Sequence, residues 1–575
     1  MGARFGVEGE RFALCANAHI SESRYGAPGG VLLCQDDDWH VRSTFGDVIG
    51  RGRIFCLIIV AVISCEADAM QNEDSVAKRV SPLEMDSEEF RRLGYLLVDR
   101  IAGFLDSLPE RGVTRGESPS DVRHALDSER SLPLHGADPA KLLDRAADLL
   151  FEHSLFNAHP RFWGYITSSP APIGALGDLL AAAVNPNVGA WLLSPMASEI
   201  EAQTIRWIAE MVGYPTDCGG LFVSGGNMAN FVCFLAARQA NAGWDVRVMG
   251  VENSRLRVYC SKETHTWIQK AADISGLGTD AIRWVPTDDE LRMDVAALRR
   301  QIVSDMEAGD RPLLVVGTAG SVSTGAIDPL PEIAAMCREF DVWFHVDGAY
   351  GGLAAVLPDA SDALRGLREA DSLAVDPHKW LYAPLEAGCA LVRRPDKLRD
   401  AFAYHPPYYH FGVEAINYFD LGPQNSRGFR ALKVWLALQQ VGREGYVRMI
   451  SDDIRLAGEL FQRISGYPAL EAFTHSLSIT TFRYVPLDLD SGDEGVEAYL
   501  ERLNRELLTR LQAGGEAYVS NAVVHGRFAL RACIVNFRTS LADVEALLPI
   551  VVRIGGEVDV ELRSQGVRGE ASQRV

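Results

Sequence analysis

Between about Gly219 and Arg394 the chain alternates short apolar runs with stretches of helical spacing, and this alternation constrains its fold most. Leu221-Phe222-Val223 precedes a glycine turn and then a helix; Val258-Tyr259-Cys260 precedes a polar turn. Leu313 to Val316 and Val342 to Val346 are apolar runs bounded by loops. Apolar runs alternating with helices predict an α/β large domain, a mostly parallel sheet with helices on both faces.

The flanks differ. Asp86 is a good N-cap, and Phe90, Leu93, Leu97, Ile101, Phe104 and Leu108 follow at helical spacing until Pro109 stops the pattern. The polar stretch Arg111 to Asp138 reads as a linker, and helical patterns return from Pro139. Ser476 to Tyr484 and Phe528 to Phe537 read as strands separated by a helix from Glu494 to Leu511, a small C-terminal α+β domain. The expected organisation is a disordered extension over 1–80, an N-terminal helical segment over 81–165, a large domain over 166–440, a small domain over 441–564 and a tail over 565–575. Within the extension, Ile54 to Cys65 is a twelve-residue apolar run, short of the roughly 20 residues that cross a bilayer. It has the look of a signal-peptide core, but some fifty residues precede it. An upstream extension of the reading frame is the preferred reading, beside a buried segment or an export signal. A net charge of −21 with no compensating basic run disfavours nucleic acid and anionic membrane as partners. Ten scattered cysteines without metal spacing point to reduced thiols in a cytoplasmic protein and to no metal.

Four segments carry chemistry: SGGNMAN (Ser224 to Asn230), THTW (Thr264 to Trp267), HVDGAYGG (His345 to Gly352) and DPHKW (Asp376 to Trp380). Each alone is ordinary; together, in this order, they supply what a pyridoxal 5′-phosphate site requires. Lys379 offers an amine for an imine with the cofactor aldehyde. Asp347, 32 residues earlier, offers a carboxylate to keep the pyridine nitrogen protonated, so that the ring draws electrons from the bond being broken. Gly225, Gly226 and Asn227 open a helix, where N–H groups and the dipole favour a phosphate. His265 offers a ring to stack, and Ala349 is small enough to lie against the opposite face.

These residues resemble the group II pyridoxal-phosphate decarboxylases, the family of aromatic-L-amino-acid, histidine and glutamate decarboxylases, over Met85 to Ser564. FWGYITSSPAPIG (Phe162 to Gly174), VGTAGSVSTGAIDPL (Val316 to Leu330) and SRGFRALKVW (Ser426 to Trp435) add to the likeness. The resemblance implies fold type I with a seven-stranded large-domain sheet, and a homodimer with active sites at the interface. It implies Lys379 as the Schiff-base lysine, Asp347 as the pyridine partner, His265 as the stacking ring and Ala349 beneath the ring. Gly226, Asn227, Ser321 and His378 would line the cofactor. AFAYHPPYYHF (Ala401 to Phe411) is similar to the family's catalytic loop, in which Tyr408 would help protonate the carbon that loses CO2. Three positions depart: Asp376 stands where Asn is usual, Gly428 where a second Arg is frequent, and Ser321 replaces Thr.

Trp163, Tyr165 and Ile166 fall in a segment similar to the family's substrate wall, and Ser426 at a position tied to ring preference. An aromatic and aliphatic wall favours a flat ring. Tyrosine or DOPA is the expected substrate, then tryptophan and phenylalanine. The alternatives are decarboxylation of histidine, glutamate or diaminobutyrate, an aldehyde synthase, an aminotransferase, or an idle scaffold with the same fold.

Overall fold

The structure, a computed structural model, describes residues 32–35, 38–41, 81–251, 255–405, 415–489 and 495–572, with side chains to 565 in the last segment. The run Ile54 to Cys65 and Tyr408 lie outside the described residues. In the extension, β1 (Leu32–Gln35) and β2 (Asp38–Val41) pair antiparallel, with Leu32 opposite Val41. The chain divides into two compact units, Met1–Phe90 and Arg91–Val575. The second unit holds the seven-stranded and five-stranded sheets.

Helix α1 (Ser87–Ser107) begins where Asp86 predicts, its Oδ1 accepting from the N–H groups of Glu88 and Glu89. The stretch read as a linker contains α2 (Pro119–Leu126), closed by a capping box between Ser118 and Asp121. Eight residues without a buried side chain leave no apolar period to see. Helix α3 (Pro139–Glu152), capped by Asp138, packs on α1 through Phe104 and Phe151, stacked at 4.4 Å. A two-residue strand, β3 (Phe162–Trp163), leads to α4 (Pro172–Val184) and α5 (Pro195–Met211).

The large sheet is built from β4 (Gly219–Val223), followed by α6 (Gly226–Asn241); β5 (Leu256–Ser261), followed by α7 (Trp267–Ile274); and β6 (Ile282–Val285), followed by α8 (Val295–Glu307). Then come β7 (Arg311–Thr318), α9 (Leu330–Phe340), β8 (Trp343–Asp347), β9 (Ser372–Val375), β10 (Gly388–Val392) and α10 (Pro395–Phe402). Seven strands run in the order β4-β10-β9-β8-β7-β5-β6. Among these seven strands β10 runs opposite to the other six. Every residue of β4, β8, β9 and β10 is buried, which is why these runs are apolar rather than alternating.

Helix α11 (Ala431–Ser465) joins the two domains and breaks at Gly442 (φ 65°). The small domain continues with β11 (Leu470–Ser476), β12 (Ile479–Tyr484), α12 (Val496–Gly514), β13 (Tyr518–Val524), β14 (Arg527–Cys533) and α13 (Leu541–Ser572). Its sheet runs β11-β12-β14-β13-β3. The expected strand 476–484 covers the last residue of β11, the turn and β12; the rest of β11 and β13 are not evident in the sequence because their polar residues mask the period. The last strand is β3, parallel to β13, so Phe162 and Trp163 belong to the small domain's sheet.

Candidate active site

Each segment that the sequence singles out follows the C-terminal end of a strand of the large sheet. Ser224 follows β4, Thr264 follows β5, Asp347 ends β8 and Asp376 follows β9. In an open α/β sheet these ends share one edge, where ligands bind. There a cavity of about 350 Å³ is lined by Gly226, Asn227, His265, Asp347, Ala349, His378 and Lys379 among others. Seven residues predicted from four separate segments therefore meet in one space.

Lys379 Nζ lies 3.0 Å from Asp376 Oδ2. Asp376 is buried, and its Oδ1 has no hydrogen-bond partner among the described residues. A Cβ on Gly226 would sit 2.5 Å from Asp376 Oδ2, so only glycine lets the carboxylate lie against the first turn of α6. Gly225 adopts φ +82°, and Gly388 of β10 presses against its backbone so closely that a Cβ there would fall 2.5 Å away. The first-turn N–H groups of α6 thus face the cavity from a tightly fixed glycine turn.

Asp347 is buried with one hydrogen bond to each oxygen. Trp267 Nε1 donates to Oδ2 at 2.7 Å, and the Ala349 N–H donates to Oδ1 at 3.2 Å. No Lys, Arg or His pairs with it among the described residues. A buried carboxylate without a cation is costly unless a ligand brings one. Two residues before it, His345 is wholly buried: its Nε2 donates to Asn230 Oδ1 at 2.7 Å, and Ser372 Oγ donates to its Nδ1 at 2.9 Å. Burial pulls this imidazole down to about 4, against the opposing pull of Asp347, so it is neutral and holds β8 in place. His265 stands at the cavity mouth, where desolvation by its surroundings and the Lys379 charge lower its pKa below the usual imidazole value, with Asp347 opposing. His378 Nδ1 donates to the Ala387 carbonyl at 2.6 Å, and the His378 carbonyl accepts from Ser168 Oγ at 2.7 Å.

Other predicted residues fall elsewhere. Trp163 is fully buried in the small-domain core, where its Nε1 donates to Thr539 Oγ1; the apolar packing of that sheet claims it, and it does not line the cavity. Tyr165 is 55% exposed, adopts φ 53° and turns toward Tyr518 and Ser520. Of that segment, Ile166 alone of the three reaches the cavity. Ser426 is exposed and outside the lining. Ser321 is buried with its Oγ 3.1 Å from Thr324 Oγ1, while its neighbours Gly320 and Val322 line the cavity. Trp267, Thr318, Tyr350 and Glu386 were not predicted, although Trp267, Thr318 and Tyr350 lie inside the motifs named above. Also unforeseen is Arg531 on β14, buried with one donor on Ser520 Oγ and its Nε and Nη2 without partners. No carboxylate pairs with it among the described residues. Buried arginine is usually paired, so nothing in the local sequence marks one that is not.

The pyridoxal-dependent decarboxylase conserved domain matches residues 119–484, and the chain belongs to that family. It is a pyridoxal-phosphate carboxy-lyase. An aromatic-L-amino-acid decarboxylase of Bacillus atrophaeus is 34% identical over 483 residues, spanning 83% of this chain and 98% of that protein. A 4-hydroxyphenylacetaldehyde synthase of Rhodiola rosea is 29% identical, spanning 81% and 95%. The crystal structure of Oryza sativa TDC with PLP and tryptamine superposes with a TM-score of 0.77 at 27% identity, covering 83% of this chain and 99% of that one. The donor set fits the cofactor: an amine, a buried carboxylate lacking a cation among the described residues, and the first-turn residues Gly226 and Asn227 at a helix start.

Proposed function

We propose that this chain decarboxylates an aromatic L-amino acid to its amine and CO2, with Lys379 holding the cofactor. The observation that carries this reading is that Lys379 and the uncompensated Asp347 line one cavity beside the first turn of α6. Bound there, pyridoxal phosphate supplies an aldehyde that condenses with amines and a protonated ring that accepts electrons. Asp347, fixed by Trp267, supplies the negative charge that keeps the ring nitrogen protonated. Gly226 and Asn227 would hold its phosphate through their N–H groups, with His378 beside them, and Ala349 and His265 are the cavity residues that would face its ring. Ser321 shapes the loop between Gly320 and Val322. The buried guanidinium of Arg531 lies outside the cavity lining but near Tyr350 of its wall, and is the cation assigned to a substrate carboxylate. Tyr408 as proton donor to carbon rests on the resemblance alone.

The aromatic substrate rests on the likeness to the Bacillus atrophaeus enzyme, with Ile166 as the apolar wall and Ser426 as a further contact from outside the lining. The likeness to an aldehyde synthase makes oxidative deamination the second reading. A homodimer accounts for the exposure of Leu176, Leu179, Leu180, Leu192, Leu193 and Met196 over α4, the segment after it and the start of α5. A cytoplasmic setting suits the six free cysteines among the described residues.

The test is a panel of L-amino acids and DOPA with the cofactor-loaded protein, reading CO2, amine, aldehyde and peroxide together. Amine with stoichiometric CO2 supports decarboxylation; aldehyde with peroxide selects the second reading. Lys379→Ala is expected to lose turnover and the visible imine band. Normal turnover by that variant would end the proposal.

A further inference from the structure

Lys379 sits in a turn whose shape is set from behind. Trp380 and Tyr382 both lie against α11, fully buried. Asp453 on α11 is itself buried, and a single oxygen, Oδ2, accepts from Trp380 Nε1 at 3.1 Å and from Tyr382 Oη at 2.6 Å. Tyr446 of the same helix donates to the Leu381 carbonyl at 3.2 Å. Tyr382 adopts φ +53°, a left-handed conformation that a tyrosine does not hold unaided. Its N–H donates to the Lys379 carbonyl at 3.0 Å, and its own carbonyl accepts from Ala171 at 2.7 Å. The side chains one and three residues after Lys379 therefore converge on one carboxylate, on the side of the turn away from the cavity.

We propose that Asp453 is a positioning residue for Lys379, acting through Trp380 and Tyr382. Removing the acceptor would strand two buried donors and release a strained turn, and the lysine amine would move with it. The proposal rests on Lys379 carrying the cofactor. Groups facing Asp453 are Tyr382 and Trp380 from the turn, Asp452 on its own helix, Cys533 on β14 and the Asn536 N–H. Burial, with a smaller contribution from Asp452, raises this carboxyl to about 7, against the hydrogen bonds that favour its charge. Its acceptor strength consequently changes across neutral pH.

Borohydride trapping and peptide mapping of the loaded wild type come first: cofactor on a residue other than Lys379 refutes the functional reading. The rate at which Lys379 is acylated in the cofactor-free protein, followed by mass spectrometry, decides the role of Asp453 in either case. Asp453→Leu is expected to change that rate severalfold and to lower kcat by about tenfold or more with KM little altered, the scale of a misplaced reacting group. Asp453→Asn keeps an acceptor oxygen: it recovers kcat to within about threefold and loses the pH dependence of the imine band near 7. Tyr382→Phe and Trp380→Phe each remove one donor and keep the ring, so they decide the matter if the leucine variant does not fold. Each is expected to shift the acylation rate and lower kcat in part. Unchanged acylation, imine band and kcat in these two folded variants overturns the proposal.

Discussion

Arg531 and His345 are buried titratable groups in opposite circumstances. Arg531 has no counterion among the described residues, and burial lowers its pKa; in the proposed function its partner arrives with the substrate. Arg531→Met should raise KM for the amino acid by about tenfold or more, the scale for deleting one member of a buried charge pair. The amine product lacks the carboxylate, and its inhibition constant should change little; inhibition kinetics check both. His345 is kept neutral, its pKa near 4 against an ordinary 6.5. As pH falls below 6.5 the unfolded chain takes up a proton that the folded chain refuses. The stability this group contributes is therefore complete above about pH 6.5 and is lost on acidification toward 4, at up to about 1.4 kcal/mol per pH unit. Denaturant unfolding of the cofactor-free protein across that window, compared with His345→Gln, should show the variant with the shallower acid slope. The sequence shows His345 and Asp347 as neighbours in one motif, but not that Asn230 and Ser372 fix the histidine, because those partners come from another helix and strand.

At the scale of elements, the glycine turn after β4 depends on an ion pair outside the cavity. Arg427 is buried against Glu201 of α5, and its guanidinium also donates to the carbonyls of Val188 and Phe222 at 2.8 and 2.7 Å. Glu201 Oε1 in turn accepts from the Phe222 N–H at 2.9 Å. The pair ties α5, β4 and the segment before α11 together. Arg427→Met should destabilise the fold by about 3–5 kcal/mol, since it leaves a buried carboxylate uncompensated. The double variant with Glu201→Gln should recover part of that loss, and a double-mutant cycle in urea measures it. The SRGFR motif made Arg427 visible in the sequence; its partner, Glu201, carries no mark in an ordinary amphipathic helix. Likewise β4, β5, β7 and β8 were legible because burial on both faces makes their runs nearly continuously apolar, whereas β6, β9 and β10 were not singled out. Strand β3 was not, because two residues carry no period; Trp163, expected on the substrate wall, packs in the small-domain core.

For the whole molecule, the exposed leucines of α4 and the segment after it predict self-association. Sedimentation of the loaded protein should give a dimer, and Leu179→Glu with Leu180→Glu should shift it toward monomer and lower turnover. A monomeric wild type with full activity would rule the interface out. How the two expected domains join was only partly visible. The change of pattern near residue 440 coincides with the break at Gly442, but α11 runs through it and reaches back to the lysine turn.

The inverted strand β10 has a consequence for biosynthesis. Strand β4 lies at the border of the large sheet, and β10 is its one hydrogen-bonded neighbour there. As the chain leaves the ribosome, β4 and the glycine turn after it wait without a partner until Val392 has emerged, by which time β5 to β9 can already associate. Distant pairings of this kind form late. A nascent polypeptide halted before β10 would carry its lysine with no finished seat for a phosphate and no α11 behind the lysine turn, so vitamin capture waits until both have emerged.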